Sequence, residues 1–299
     1  MHRTNFFLSV VLALASMTIC AAAQAQLPEA EPVPGGVALI AVASAKDTAP
    51  QVYFEGKRVL VVRDADAWLA VVGLPLSLRS GVHRLAVGAT RETAQAIQFD
   101  VRAKTYETQR LTIANKRQVD PDPLDLRRIA RDRDILTRAF TAFTENVPES
   151  LRFDLPVAGR FSGAFGLQRF FNDRPRQPHS GLDIAAPEGT PILAPAAGVV
   201  MEIGDYFFNG RTVILDHGQG LVSMYNHMSR IDVVKGMRVA RGQMLGAVGK
   251  TGRVTGPHLH WTISLNDARV DPALFLSAPA RTSFFNGSPP PAEIHEADK

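Results

Sequence analysis

Histidine and aspartate side chains with the spacing of metal ligands form two short runs in the second half of this chain. The first run is PHSGLDIAAPEGTP, in which His179 and Asp183 are four residues apart, and the second is TGPHLHWTI, which contains His258 and His260. Alternate residues of a β-strand face the same side, so both imidazoles of the second run are predicted to point the same way. His179, Asp183 and one histidine of the second run could therefore hold a single metal ion.

Zinc is the metal that this set favours, because imidazole nitrogen and carboxylate oxygen are ligands that it accepts when no thiolate is present. Three protein ligands leave a fourth position for water, which is typical of catalytic rather than structural zinc. His227, in MYNHMS, is predicted to approach the site from a neighbouring strand. His217, in LDHGQG, is predicted to cap a turn, with a supporting role at the site as the alternative.

The first 25 residues have the pattern of a secretory signal peptide, with one basic residue, an apolar stretch over 6–19 and an Ala-Gln-Ala run that ends at Ala25. We predict cleavage after Ala25, with a retained membrane anchor as the alternative. Ile19 precedes Cys20, where lipoprotein signals have a small residue, so a lipid anchor is not expected. Cleavage would remove the one cysteine, leaving a mature chain without disulfides.

The composition is that of a soluble globular protein, with 45% hydrophobic and 21% charged residues among 299. The net charge is +4, and it falls to +3 if Arg3 is lost with the signal peptide, leaving 32 basic against 29 acidic residues. This mild excess argues against nucleic acid as the main partner. No later run approaches 18 apolar residues, so no transmembrane segment is predicted after signal cleavage.

The elements that must position the metal ligands are mainly β-strands, in two domains joined by a helical linker. A proline- and glycine-rich lead-in over 26–36 precedes short strand-like runs, which predict a small β-sandwich-like accessory domain over 37–115. The linker spans 116–150 and contains an amphipathic helix from Asp122 to Thr144, whose charged run RRIARDRD is interpreted as a solvated face. Antiparallel strands follow over 151–276, and the proline-rich tail over 277–299, which contains His295, is predicted to be disordered.

The stretch from GRFSGAFGLQRFFNDRPRQPHSGLDIAAPEGTPI through YNHMS to GKTGRVTGPHLHWTI resembles the M23 family of zinc metallopeptidases, the LytM/lysostaphin-type cell-wall endopeptidases. The resemblance covers roughly 150–276 and has its parts in the family's order, His-x-x-x-Asp, a histidine after a strand, then His-x-His. It implies an antiparallel β-sheet core with the metal in a groove. The strands before it resemble the accessory β domain of some envelope members, in architecture alone.

Carried over residue by residue, the resemblance implies one zinc ion per chain, held by His179, Asp183 and His260. It makes His227 and His258 the catalytic histidines that do not bind the metal. The activity implied is zinc-dependent hydrolysis of peptide cross-links in peptidoglycan, with the D-Ala–diaminopimelate bond favoured, in the periplasm of a Gram-negative cell. No regulatory partner is identified by the sequence.

Two features bear on the substrate and on the alternative function. The lysostaphin branch has a tyrosine just upstream of the first ligand, whereas this chain has FNDRPRQP there. Arg169 is a candidate for binding a carboxylate of the stem peptide, because a planar guanidinium suits bidentate contact; an exposed loop arginine is the alternative. The alternative function is a non-catalytic M23-like activator of a cell-wall amidase, and the presence of all five site residues favours the enzyme.

Overall fold

A computed structural model describes residues 26–88, 94–113 and 116–286. The predicted signal peptide, residues 1–25, lies outside the described residues, as does His295. Neither α-helix in the described part of the chain has the length and apolar character needed to cross a bilayer.

The N-terminal half folds into two small sheets that pack face to face. Side chains alternate between the two faces of each strand, so one face of each sheet is apolar. These two faces meet in one buried cluster, which includes Val52, Leu85 and Phe99. The strands are β1 (Val37–Ser44), β2 (Gln51–Phe54), β3 (Lys57–Arg58), β4 (Leu60–Asp64), β5 (Ala67–Gly73), β6 (Gly81–Gly88) and β7 (Gln95–Val101). One sheet has the order β1-β5-β4 and the other β3-β2-β6-β7.

The segment between the N-terminal sheets and the C-terminal half contains a strand, β8 (Thr108–Leu111), a 3-10 turn (Lys116–Gln118) and the helix α1 (Pro123–Thr141). β8 lies within the range predicted for the accessory domain, 37–115, but it pairs with residues 168–171 of the C-terminal half. The Asp122 carboxylate accepts hydrogen bonds from the backbone N–H groups of Leu124 and Asp125, both at 2.9 Å, and caps the helix. The helix therefore begins where the sequence predicts and ends three residues before Thr144.

One face of α1 packs on the C-terminal sheet, but the buried positions differ from the apolar ones. Phe140 is buried with Ile214 and Met224, whereas Leu126 is 55% exposed. Asp132 is buried because its Oδ2 accepts a hydrogen bond from the N–H of Phe207 at 2.8 Å. Part of the charged run thus lies in the interface, contrary to its interpretation as a solvated face.

The C-terminal half is built on one large antiparallel sheet. Its strands, with two that lie beside the sheet, are β9 (Arg160–Gly163), β10 (Gln168–Phe171), β11 (Arg174–Pro175), β12 (Leu182–Ala185), β13 (Pro191–Leu193), β14 (Gly198–Tyr206), β15 (Gly210–Gly218), β16 (Leu221–Ile231), β17 (Arg238–Val239), β18 (Met244–Val248), β19 (His258–Leu265) and β20 (Ala268–Val270). In the large sheet the strands follow one another in the order β17-β14-β15-β16-β19-β12-β9. β13 and β18 pair with each other, β18 also pairs with β16, and β20 pairs with β19. Outside this sheet, β10 pairs with β11 and, in parallel, with β8. The expected mainly β fold, with an antiparallel C-terminal sheet, is confirmed.

The two halves share an apolar core. Val37, Leu60 and Val71 of the N-terminal strands are buried in the same cluster as Leu265 of β19. The buried Asn266 side chain accepts a hydrogen bond from the Gly73 N–H at 2.8 Å and donates one to the Gly73 carbonyl at 3.0 Å. The amide of Asn266 thus joins the two halves, and both its oxygen and its nitrogen are hydrogen-bonded.

The chain after the large sheet departs from the predicted disordered tail. A 3-10 turn (Pro272–Phe275) is followed by a second helix, α2 (Ala278–Phe285), which begins after Ser277. Ser277 Oγ accepts a hydrogen bond from the Ala280 N–H at 3.4 Å. Within the described residues, the segment from 278 to 285 is therefore helical rather than disordered.

Candidate metal centre

Three neighbouring strands place side chains side by side on one face of the large sheet. In the register of β12, β19 and β16, Asp183 lies opposite His260, and His260 lies opposite Asn226. Directly opposite residues of an antiparallel pair have Cβ atoms about 5 Å apart, so these three side chains are neighbours. His258 is two residues before His260 and faces the same side, as the alternation predicts.

His179 reaches this group from the loop before β12. Its N–H donates to the Leu167 carbonyl at 2.9 Å, which fixes the loop against the neighbouring segment. Gly181 allows the close approach, because a Cβ atom there would lie 2.4 Å from the Trp261 carbonyl oxygen and 2.8 Å from His260 Nε2. The sequence PHSGLD therefore turns back on the strand that carries the second histidine run.

Three potential ligand atoms meet at one point. His179 Nε2 is 2.9 Å from Asp183 Oδ1 and 2.9 Å from His260 Nδ1, and the last two atoms are 2.8 Å apart. All three residues are buried. In the described part of the chain, this is the group of histidine and acidic side chains whose ligand atoms converge closely enough to hold a metal ion.

The outer hydrogen bonds of the two histidines determine where their protons lie. His179 Nδ1 is 2.6 Å from the Ala164 carbonyl oxygen, so this nitrogen carries the proton and Nε2 presents a lone pair. His260 Nε2 is 3.0 Å from Thr262 Oγ1, which can accept its proton and leave the lone pair on Nδ1. Two lone pairs and a carboxylate oxygen then face one another without a proton between them, an arrangement that a cation stabilises. This donor set, two nitrogens and one oxygen, fits zinc.

The second oxygen of Asp183 faces away from the histidines. Oδ2 is 2.5 Å from Arg169 Nη2, and Arg169 Nε donates to Gln109 Oε1 at 3.0 Å. Burial by itself would raise the pKa of Asp183, but the adjacent side chains of His179 and His260 outweigh burial and hold that pKa well below its usual range. The carboxylate is therefore ionised, with one oxygen turned to the histidines and the other to Arg169. That Arg169 binds a substrate carboxylate stays a prediction.

His227 enters the site through an irregularity of β16. The pairing of β15 with β16 shifts register between Arg211 and Val213, opposite residues 225–228, and His227 has a left-handed φ of 64°. A regular strand would turn adjacent side chains to opposite faces, whereas a bulge can redirect one of them. The ring of His227 lies 4.8 Å from that of His258 and 6.1 Å from that of His260.

His227 and His258 each donate from Nδ1 to a backbone carbonyl. The acceptors are Thr251 O at 2.8 Å and Gly256 O at 2.9 Å. Both Nε2 atoms therefore carry lone pairs, and that of His258 is 3.7 Å from Asp183 Oδ1. Burial, followed by the neighbouring His258 and His260, lowers the pKa of His227 well below its usual value, so this imidazole is neutral at pH 7.

A cavity of about 250 Å³ opens beside these side chains. Among the described residues, its walls come from the C-terminal half alone and include His179, His227 and His260. Arg253 and Asn226 also line it, and neither was among the site residues predicted from the sequence. Asn226 directly precedes His227, and Arg253 lies in GKTGRVTGPHLH, five residues before His258. Their closeness to these histidines in sequence is the signal that could have identified them as site residues. The Asn226 amide nitrogen is buried and has no hydrogen-bond partner within the described chain.

His217 is part of the core of the C-terminal half and not of this site. Its Nδ1 donates to the Ala197 carbonyl at 2.7 Å, and its Nε2 is 2.7 Å from Ser223 Oγ. Its ring packs against Phe153 at 4.8 Å between centroids. The prediction that it caps a turn is therefore wrong, because it is a strand residue whose two nitrogens bond across the sheet.

Two family models match the chain in separate parts. Peptidase family M23 matches residues 177–272, which contain the three converging side chains and both His227 and His258, and the N-terminal domain of peptidase family M23 matches residues 30–104. The sequence matches to curated relatives are more local. The peptidoglycan DD-endopeptidase ShyA of Vibrio cholerae is 38% identical over 121 residues, and the DD-carboxypeptidase/endopeptidase Mpg of Neisseria meningitidis is 38% identical over 116 residues. These matches cover 40% and 39% of this chain, but 28% and 27% of the relatives, so the chain matches about a quarter of their length.

A solved structure matches across both halves. It is a crystal structure from Pseudomonas aeruginosa assigned to peptidase M23, 46% identical in sequence, with a TM-score of 0.68. The match covers 82% of this chain and 95% of that one. An extended match at this identity, together with two family models in the same order, establishes that the chain belongs to peptidase family M23.

Proposed function

We propose that this protein is a zinc-dependent endopeptidase that hydrolyses peptide cross-links of peptidoglycan in the periplasm of a Gram-negative cell. The observation that carries the proposal is the meeting of His179 Nε2, Asp183 Oδ1 and His260 Nδ1 at distances of 2.8–2.9 Å, beside a cavity that two further histidines approach. The substrate class is supported by the relatives, which are named as peptidoglycan DD-endopeptidases and DD-carboxypeptidase/endopeptidases. A bond between D-Ala and diaminopimelate is accordingly the proposed target.

Zinc held by His179, Asp183 and His260 would supply Lewis acidity and a water of lowered pKa, near ~7 in zinc hydrolases. The rest of the chemistry belongs to the protein. His227 and His258 are oriented by Thr251 and Gly256, so their Nε2 lone pairs are available to accept a proton from the attacking water.

The protonated imidazole can then donate to the amine that leaves, which returns the histidine to its neutral form. Burial favours the neutral form of His227 at the start of the cycle, so its lone pair is available at neutral pH. His227 is itself buried, and an interaction with a developing charge is stronger at a buried group than in water.

Digestion of purified sacculi tests the proposal. Zinc-loaded protein should convert cross-linked muropeptides into monomers, each cleavage adding one water and exposing one amine, with products identified by mass spectrometry. His227→Ala and His258→Ala should bind zinc normally and lose turnover by at least about 100-fold, as expected when a general base is removed.

The same experiment separates the enzyme from the amidase activator. Each preparation is also mixed with a cell-wall amidase, and glycan strands freed of peptide are measured. Zinc-loaded protein that leaves cross-links intact while stimulating the amidase would refute the endopeptidase and support the activator.

A further inference from the structure

Arg253 lines the same cavity as the candidate metal ligands, and its guanidinium has no carboxylate partner among the described residues. Its side chain makes a long hydrogen bond, 3.5 Å, from Nη1 to the Gln118 carbonyl. By contrast, Arg169 in the same cavity is paired with Asp183 at 2.5 Å. A partly buried guanidinium without an acidic partner is unusual, because charged groups removed from water are normally paired.

Two aromatic rings hold the Arg253 side chain in place. Its guanidinium carbon lies 4.7 Å from the centre of the Phe171 ring and 4.2 Å from that of Phe208. Its backbone N–H also donates to the Phe208 carbonyl at 2.9 Å. Stacking on aromatic rings engages the faces of a guanidinium and leaves N–H groups at its edge for a planar acceptor. A carboxylate is the acceptor whose two oxygens match that edge.

The charges around Arg253 favour an anion. Burial, followed by the nearby Arg176 and Arg169, lowers the pKa of Arg253 to about 10, so the side chain remains charged at neutral pH. Arg176 donates from Nη2 to the Val119 carbonyl at 2.6 Å, and its Nε is buried without a partner in the described structure. Of these three guanidiniums, that of Arg169 alone has a carboxylate partner within the described residues, and that carboxylate, Asp183, is itself turned to His260. An entering carboxylate would reduce this repulsion.

The loop that carries Arg253 also orients a catalytic histidine. The Thr251 carbonyl accepts the Nδ1 proton of His227 at 2.8 Å, and Arg253 follows two residues later. Thr251 is fixed in turn, because its Oγ1 accepts from the Arg211 N–H and donates to the Met228 carbonyl, both at 2.9 Å. A group bound at Arg253 is therefore held in a fixed position relative to the imidazole of His227.

We propose that Arg253 is the binding site for a free carboxylate of the peptide substrate, close to the bond that is cut. This inference rests on the proposed peptidase function and names a specificity determinant for it. A stem peptide offers that chemistry from two sources, the carboxylate of the diamino acid beside the scissile bond and the carboxylate at the peptide's C-terminus.

Three synthetic cross-linked peptides test the inference with full-length, zinc-loaded protein. One peptide has both carboxylates free, the second has the diamino acid carboxylate amidated, and the third has the C-terminal carboxylate amidated. Wild-type protein should cleave one of the two amidated peptides with a kcat/KM about 10- to 100-fold lower, mainly through KM, as expected when a charge-assisted pair is lost. The peptide affected identifies the source of the carboxylate.

The variants then assign the effect to Arg253. Arg253→Gln should cleave all three peptides at similar rates, near that of wild type on the affected amide, whereas Arg253→Lys should recover part of the discrimination. Arg238→Gln, at an exposed position on β17, is the matched control and should discriminate like wild type. Zinc content and melting temperature of each variant show that the fold is kept.

Equal cleavage of all three peptides by wild-type protein would overturn the inference and leave the proposed function standing. Undiminished discrimination by Arg253→Gln would overturn it as well, and so would an equal loss on every peptide, which indicates a structural role in the aromatic contacts. Failure of wild-type protein to cleave any peptide would refute the proposed function, and the inference with it. The wild-type comparison needs no variant, so it decides the question even if Arg253→Gln does not fold.

Discussion

Replacing His260 by alanine should remove zinc binding, whereas replacing His258 should not. The two histidines share one strand and one face, yet their nitrogens have different surroundings. His260 Nδ1 lies 2.8 Å from Asp183 Oδ1 and 2.9 Å from His179 Nε2. His258 Nε2 is 3.7 Å from the same carboxylate oxygen, which is beyond hydrogen-bonding distance. The pair is therefore a matched test of the ligand assignment.

The size of the effect follows from the number of ligands. Zinc binding by four protein ligands is worth about 10–16 kcal/mol in small zinc domains, or roughly 2.5–4 kcal/mol for each ligand. Losing one ligand should thus weaken zinc binding by roughly 10² to 10³-fold, since 1.4 kcal/mol is a factor of ten. His258→Ala should change the zinc affinity by less than about tenfold.

Competition with a chromophoric zinc chelator measures the dissociation constants, and metal content after dialysis checks the stoichiometry. Circular dichroism and the melting temperature show whether each variant is folded. A folded His260→Ala protein that binds zinc as tightly as wild type would refute the ligand assignment. The same would follow if His258→Ala lost the metal and His260→Ala kept it.

Three other outcomes are expected. Arg169→Gln should weaken zinc binding by about 10- to 100-fold, because the guanidinium orients the Asp183 carboxylate through its second oxygen; an unchanged zinc affinity in the chelator assay would contradict this. His217 has its pKa lowered by burial to about 4, below the ordinary 6.5, so the folded protein binds this proton less readily than the unfolded chain. This contribution to the free energy of unfolding is fully present above pH 6.5, and about 3 kcal/mol of it is lost as the pH falls to 4. The free energy of urea unfolding of His217→Gln should not show this loss. Asn266→Ala should lower the free energy of urea unfolding by about 2–4 kcal/mol, because it leaves the buried N–H and carbonyl of Gly73 unpaired; a change below about 0.5 kcal/mol would show that this contact does not join the two halves.

Local patterns anticipated much of the fold. The period-2 runs and turn residues of the N-terminal half correspond to its short strands, and Asp122-Pro123 marks the start of the helix. The face of that helix was less predictable, because Leu126 is exposed while Asp132 is buried. A buried carboxylate is stable there only because the Phe207 N–H lies opposite it. That partner comes from a hairpin about 75 residues away in sequence, which no helical period can reveal.

Residue types and spacing by themselves determined that this chain could hold a zinc ion. His179 and Asp183 four apart, and two histidines on one face of a strand, predict such a site, since side-chain direction alternates along any strand. Which histidine of the second run turns its nitrogen to the ligands was decided by strand register, because pairing with β12 sets His260 opposite Asp183.

The tertiary structure alone decided what surrounds those ligands. The bulge in β16 turns His227 into the cavity, and chain packing brings Arg169 to Asp183 and Arg253 against two phenylalanine rings. These placements depend on contacts between residues far apart in sequence, whose energies no local pattern encodes. The sequence therefore predicted which residues could bind a metal, and the packing of distant segments decided which groups face them and which guanidinium in the cavity lacks a carboxylate partner among the described residues.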